Sequence, residues 1–468
     1  MIGFETIGNA TLICFDTDPV LVTDPWVDGE PYFGSWSHLY EIPHAQRDAI
    51  LRSRYVWLSH GHPDHASGPS LDLLAGKTIL LPDHVGHRMR DDLTGLGFAV
   101  EVLPERSWRQ LSDNVRVMSV SDYHQDAVLL VDVAGTLLVD VNDAVERGWG
   151  RFVRGVISSY RTSFLLKLFG YGDADMINIS TEDGVRLLAP PPTASDEARH
   201  AWGRLLREKI AFAAKYYGTQ YFIPFSMFHQ YQRRDSAWAQ DYATPLEAFS
   251  VFQSPTCERL PAFVRYDCEK QSLQTIDPPR RSVRLRGPEE FGDDWTTPLE
   301  SAEVSQIERY FQSIEFLRSR LAFVNLRVGG REHHIALGQR AKGRDRGVTF
   351  EVPRGSLVTA VTYRIFDDLL IGNFMKTTLH GDWGPGNAPG VLYPYFTPYV
   401  ARYADSAKLR TEEELREYFG IYRRRAPFDY VVHRFEQAGT QWLRARVNPH
   451  SALFRHATRV YSYVKKVS

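Results

Sequence analysis

Hydrophobic positions in the first half of the chain fall in short blocks rather than long stripes. Val20-Leu21-Val22-Thr23, Tyr55-Val56-Trp57-Leu58, Val117-Met118-Ser119-Val120, Leu137-Leu138-Val139 and Tyr221-Phe222-Ile223 are rich in β-branched and aromatic residues, and turn residues bound them. Runs of this length and composition predict buried strands. A helical period appears at Ser70–Leu74 and, more clearly, at Trp202, Leu205, Leu206, Ile210 and Ala213. Ser195 is placed to cap that second helix and Gly218 to stop it. Residues 277–297 break the pattern with Asp277-Pro278-Pro279-Arg280-Arg281 and Pro288-Glu289-Glu290. They are read as a linker between a domain at 1–276 and an accessory domain at 298–468. In the latter, Ser301 is expected to cap a helix with Val304, Ile307, Phe311, Ile314 and Leu317 on one stripe. Phe323–Val328 and His333–Leu337 alternate about Gly329-Gly330 as a hairpin would, and Thr411 with Glu414 forms a capping box. No internal repeat is visible.

The densest chemistry follows the Tyr55–Leu58 run: His60, His62, Asp64 and His65 place four metal-ligand side chains within six positions. Gly61 and Pro63 force an extended, turning loop, in which His60 and His62 can face one cation while Asp64 and His65 reach another. Imidazole nitrogens mixed with carboxylate oxygens suit zinc or iron rather than magnesium or calcium.

This segment resembles the signature of the metallo-β-lactamase superfamily, His-x-His-x-Asp-His at the end of a strand. The resemblance implies a four-layer αββα sandwich, to which residues 298–468 would add a mixed α/β unit. It also implies further site residues in chain order: Asp24 orienting the ligand loop, His124, an acid ending the Gly135–Asp143 strand, and His229. His60, His62 and His124 would hold one metal, Asp64, His65 and His229 the other, and Asp143 both. Asp140 competes for that bridging place, and Asn142-Asp143-Ala144 stands where the superfamily usually has Gly-Asp-Thr. The implied cofactors are two divalent ions, zinc, with iron as the alternative. The implied reaction is hydrolysis of a small-molecule ester, thioester, lactone or phosphodiester by a metal-bridging hydroxide, with Asp64 or Asp143 carrying the proton.

A narrower resemblance links Asp24-Pro25-Trp26-Val27-Asp28-Gly29, Phe33-Gly34-Ser35-Trp36, Leu58-Ser59-His60 through Leu73-Leu74-Ala75, and Ile157–Tyr160 leading to Phe169-Gly170-Tyr171-Gly172 to the branch containing the CMP-N-acetylneuraminate hydroxylases. That branch implies a second reading, a non-haem di-iron oxygenase. Its members carry a Rieske domain, for which Cys14, Cys257 and Cys268 are not a ligand set. An external reductase would then supply the electrons.

Composition narrows the setting. The chain has 468 residues, 43% hydrophobic and 24% charged, with a formal net charge of −2, enough for one large core or two moderate ones. That balance gives no support for nucleic acid or an anionic membrane as partner, and a small-molecule substrate is expected. Three scattered Cys, no leader-like start and no long apolar run point to a cytoplasmic protein. Trp26, Tyr32, Phe33, Trp36 and Tyr123 lie beside ligand-bearing loops as pocket walls or core. Arg151, Arg154 and Arg161 could meet a substrate anion or be solvated charge. His84 and His87 are expected at the surface or behind the ligands, His333 and His334 on opposite strand faces, and His380 on a loop edge.

Overall fold

The computed structural model describes residues 1–169, 176–184, 186, 191, 194–251, 254, 256–338, 346–381, 383 and 397–444. Gly170, Tyr171 and Gly172, quoted above, lie outside the described residues. The chain divides into two compact units: 1–174 with 192–233 and 237–285, and 175–191 with 234–236 and 286–468.

The first unit is built on two sheets. One has eight strands in the order Ser272–Thr275, Val264–Asp267, Ile2–Ile7, Thr11–Asp16, Asp18–Thr23, Tyr55–Trp57, Thr78–Leu81 and Ala99–Val102. The other has seven, in the order Glu258–Arg259, Tyr221–Pro224, Thr162–Lys167, Thr136–Asn142, Ala127–Val133, Val115–Ser121 and Arg109–Gln110. Alternation along the strands assigns their faces. Leu12, Leu21, Trp57 and Leu80 of one sheet join Val117, Leu129, Leu138 and Phe164 of the other in a buried cluster between the sheets. The intervening residues Val22, Val56 and Ile79 pack with Ala49, Ile50 and Leu74, and Val139 and Leu165 with Val153, Leu206 and Ile210. Helices His44–Arg52, Gly68–Leu73, Gly150–Ile157 and Asp196–Tyr217 therefore cover the outer faces. This is an αββα sandwich, the four-layer architecture expected from the sequence. Ser195 caps the long helix by accepting from the Ala198 N–H, and Gly218 ends it at φ +74°.

The parallel strands all run toward one end of the sandwich. Asp18–Thr23, Tyr55–Trp57 and Thr78–Leu81 are parallel in one sheet, and Thr136–Asn142, Thr162–Lys167 and Tyr221–Pro224 in the other. Ligand sites in α/β sheets form outside the carboxyl ends of such strands. Asp24, His60 and Asp143 follow three of those ends in sequence.

The second unit has a five-stranded sheet in the order Ile179–Thr181, Lys376–His380, Gly347–Glu351, Phe323–Val328 and Arg331–Ala336. Phe311, Phe350 and Phe366 meet in its core with ring centroids 5.0–6.2 Å apart. The hairpin forms at Gly329 and Gly330, both with positive φ. The first helix is Ser301–Gln312 with Glu300, not Ser301, at its N-cap: the Glu303 carboxylate accepts from the Glu300 N–H at 2.8 Å, which starts the helix one residue earlier.

The passage from one unit to the other falls inside residues 277–297. The chain passes between units at 285/286, and Pro288–Phe291 forms a 3₁₀ turn. The second unit also takes residues 175–191, because Ile179–Thr181 pairs in parallel with Thr377–Leu379. A strand recruited across nearly 200 residues leaves no local signal, so the 1–276 and 298–468 boundaries miss it. Among the described residues, no helix is long and apolar enough to cross a membrane.

Candidate metal centre

The strand Tyr55–Trp57 delivers its loop in a tight turn, with the His65 and Ala66 N–H groups donating to the His62 carbonyl. His60, His65 and Asp143 converge so that one ligand atom from each lies within 4.8 Å of the others. Asp143 Oδ2 stands 3.3 Å from His65 Nε2 and 3.9 Å from His60 Nε2, a place between the two groups of ligands expected from the sequence. His62 Nδ1 is 2.8 Å from His60 Nε2, and Asp64 Oδ2 is 3.2 Å from His65 Nε2.

His124 is buried on the loop that follows strand Val115–Ser121, and His229 is buried at the start of the short strand His229–Tyr231 that comes after Tyr221–Pro224, both outside that tight trio. His124 sits in a turn closed by the Asp122 N–H donating to the Asp126 carbonyl, and His84 Nε2 lies 2.9 Å from the same carbonyl. His84 is thus buried and braces the His124 turn, not a surface residue. His229 lies flat against the Trp36 indole, 3.4 Å between centroids and 3° between planes. Burial pushes its imidazole down to about 3, against the pull of Asp64 and Asp143, so it is neutral and able to offer a lone pair.

Behind the ligands, Asp24 does the orienting. Its carboxylate accepts from the Ser59 N–H and Oγ, both at 2.8 Å, and from Asn142 Nδ2 at 2.8 Å, and stands 3.3 Å from His65 Nδ1. With Nδ1 turned to Asp24, His65 aims Nε2 at the centre, the carboxylate–histidine arrangement that fixes a ligating ring. Asp64 is gripped on both oxygens, by the Tyr32 hydroxyl at 2.5 Å and Asn9 Nδ2 at 2.9 Å. Ser226 Oγ donates to Asp143 Oδ1 at 2.7 Å.

Of the two candidate acids, Asp140 lies inside its strand, pointing between the sheets and 2% exposed. Burial, reinforced by Asp24, holds its carboxyl well above the usual range, and its place between the sheets keeps it inside the core. Asp143 stands beyond the strand end with 27% of its side chain exposed. Asn142 makes that step possible at φ +48°, a conformation Asn tolerates better than most residues.

Several expectations resolve differently. Trp26 is fully buried and stacks on His38 at 3.9 Å, and Tyr123 is buried too, so both are core rather than pocket wall. Arg154 lies over the Tyr216 ring at 4.6 Å. Arg161 immediately precedes the strand Thr162–Lys167, which runs parallel to Thr136–Asn142, so it lies at the end of the sheet opposite Asp143. The three arginines therefore do not form one anion site beside the candidate metal centre. Asn9, Ser59 and Ser226 are site residues that the sequence did not single out; their bonds to Asp64, Asp24 and Asp143 span 55, 35 and 83 positions.

The residues fit a metal. His65 is ringed by Asp24, Asp64 and Asp143, whose charge outweighs burial and raises its pKa well above the ordinary value, so the group demands a cation. Burial tends to raise the Asp64 pKa, but His65 and the Tyr32 hydroxyl bring it well below the ordinary carboxylate range. Both His229 nitrogens are buried without a hydrogen-bond partner among the described residues. Each such group costs roughly 1–3 kcal/mol unless a ligand satisfies it.

No family model matches the chain. It is 28% identical over 145 residues to cytidine monophosphate-N-acetylneuraminic acid hydroxylase of Danio rerio, covering 29% of this chain and 24% of that protein. To the Mus musculus hydroxylase it is 28% identical over 161 residues, covering 32% of this chain and 28% of that one. The chain thus matches about a quarter of the length of these relatives. Among solved structures, Igni18, described as a metallo hydrolase from Ignicoccus hospitalis, aligns at TM-score 0.36 and 12% identity over 56% of this chain and 97% of its own. CmlA, a diiron beta-hydroxylase from Streptomyces venezuelae, aligns at 0.35 and 14% over 56% and 53%.

Proposed function

We propose that the first unit is a dinuclear metal-dependent hydrolase acting on an ester, thioester, lactone or phosphodiester of a small molecule. The observation that carries the reading is the convergence of His60, His65 and Asp143, with Asp143 open to solvent. His60, His62 and His124 would hold one ion, Asp64, His65 and His229 the second, and Asp143 both. Bound there, two divalent ions supply Lewis acidity and a hydroxide nucleophile near neutral pH.

The chain's own groups divide the remaining work. Asp64 is 5% exposed at its side chain and occupied on both oxygens, so it positions rather than exchanges protons. Asp143 keeps an exposed edge and is the carboxylate able to take a proton from the attacking water and return it to the leaving group. Ser226, donating to Asp143 Oδ1, keeps Oδ2 turned toward the histidines.

A second reading rests on the partial match to hydroxylases: an iron-dependent oxygenase fed by a separate reductase. Turnover separates the two. Zinc-loaded protein offered chromogenic esters, thioesters, lactones and phosphodiesters should cleave at least one class without oxygen or reductant, and lose that activity by 100-fold or more in Asp143→Asn, the scale of a lost general base. Cleavage undiminished in Asp143→Asn, or turnover only with oxygen and an electron donor, contradicts the hydrolytic reading.

A further inference from the structure

The turn at Tyr32-Phe33-Gly34 is out of character for its sequence. Tyr32 and Phe33 have φ values of +55° and +58°, and Gly34 follows at +82°. Two successive aromatic residues in left-handed backbone are disfavoured, because Cβ crowds the following carbonyl. Strain of this kind persists where the surroundings over-determine it, and it clusters at functional sites. The surroundings here are specific. Arg233, fully buried, donates Nη1 to the Phe33 carbonyl at 3.0 Å. The Gln232 N–H donates to the Ser35 carbonyl at 2.9 Å and its side chain to the Trp36 carbonyl at 3.1 Å. Both residues continue the strand His229–Tyr231, so the segment that carries one candidate ligand also clamps the turn.

From that turn two side chains reach candidate ligands. The Trp36 indole lies against His229, and the Tyr32 hydroxyl donates to Asp64 Oδ1. With Oδ1 so held, the other oxygen, Oδ2, is the one that stands 3.2 Å from His65 Nε2. Tyr32 is itself buried, with its ring edge-on to Trp36 at 4.5 Å, so the hydroxyl has one direction in which to point.

We infer that Tyr32 is a positioning residue for the second metal: its hydroxyl selects Oδ2 of Asp64 as the ligating oxygen, and the left-handed turn exists to place it. The inference rests on the two-metal reading given above. Removing the hydroxyl releases Oδ1 and leaves Asp64 held by the Asn9 bond to Oδ2 alone, a looser grip that weakens the second ion and leaves the first, held by His60, His62 and His124, in place. Outer partners of this kind govern roughly 10- to 100-fold in metal affinity.

Cobalt(II) titration of the metal-free full chain, followed by calorimetry and by the visible d–d bands, tests this. Wild type should take up two ions in separable steps. Tyr32→Phe should bind the first as wild type does, bind the second 10- to 100-fold more weakly with an altered second-step spectrum, and unfold when metal-free at the wild-type temperature. Phe33→Gly removes the backbone strain at position 33 while keeping the hydroxyl and the carbonyl that Arg233 grips, and should titrate like wild type. Unchanged second-step affinity in Tyr32→Phe overturns the inference, as does a loss in Phe33→Gly equal to that in Tyr32→Phe, which would assign the effect to the turn alone. A wild type that binds fewer than two cobalt ions overturns the two-metal reading and this inference with it.

Discussion

Asn142 shows how a single position serves backbone and site together. It holds φ +48° at the exit of its strand, and its side-chain amide donates to Asp24 Oδ2 at 2.8 Å while lying 3.1 Å from His65 Nδ1. Glycine would adopt the backbone without strain but make neither contact; alanine would do neither. Asn142→Gly should therefore keep wild-type stability within about 1 kcal/mol while metal affinity drops roughly 10-fold or more. Asn142→Ala should lose the same affinity and in addition about 1–2 kcal/mol of stability in chemical denaturation. Equal stability in the two variants would refute the backbone half of this account. His60, His65 and Asp143, which the structure brings together, were legible because two of them sit in a dense motif and the third follows a recognisable strand. Asn9, Ser59 and Ser226 were not, since a lone Asn or Ser carries no pattern until folding brings it to a carboxylate.

Among elements, the hairpin at Gly329-Gly330 separates two demands that the sequence presents as one. Both glycines have positive φ, but a Cβ on Gly329 would meet the Pro298 nitrogen at 2.3 Å, whereas one on Gly330 meets open space. Gly330→Ala should cost about 1 kcal/mol, the price of left-handed backbone alone. Gly329→Ala should cost at least about twice that, because the backbone at 297–298 must move; thermal denaturation of the two variants checks the order. The hairpin itself was readable from alternation and turn residues, and so was the capping box at Thr411 and Glu414, which forms with Glu414 N–H donating to Thr411 Oγ1 at 3.1 Å.

The second unit also buries a carboxyl that alternation could not reveal. Asp405, 1% exposed, is pushed up to about 6 by burial; the Tyr310 hydroxyl at 2.7 Å and Arg410 pull it down, and Asp367 adds to the rise. Its pKa is higher folded than unfolded, so the folded state holds the proton more tightly. The associated stability is full below about pH 4 and is lost as pH rises to about 6, by roughly 3 kcal/mol for two pKa units. The stability difference between wild type and Asp405→Asn should decline by that amount between pH 4 and 6 and then level off. A difference independent of pH would show that folding leaves the Asp405 pKa unchanged.

For the molecule as a whole, the sandwich was legible because its strands are short blocks of alternating or wholly apolar residues with turn residues between them. The division into units was not, because the second unit draws Ile179–Thr181 from inside the first unit's stretch of sequence. The site combines both kinds of information: the loop of one sheet supplies His60 and His65, and the other sheet supplies Asp143 and leads into the strand that begins at His229. Its central claim is two ions held by seven side chains for hydrolysis, and metal content is the most direct test of it. The full chain purified without added metal should contain about two zinc ions per molecule by mass spectrometry and show no visible absorption. His62→Ala and His124→Ala should each fall to about one. Iron in place of zinc, with an oxo-bridge charge-transfer band that bleaches on reduction and returns with oxygen, would contradict the hydrolytic account.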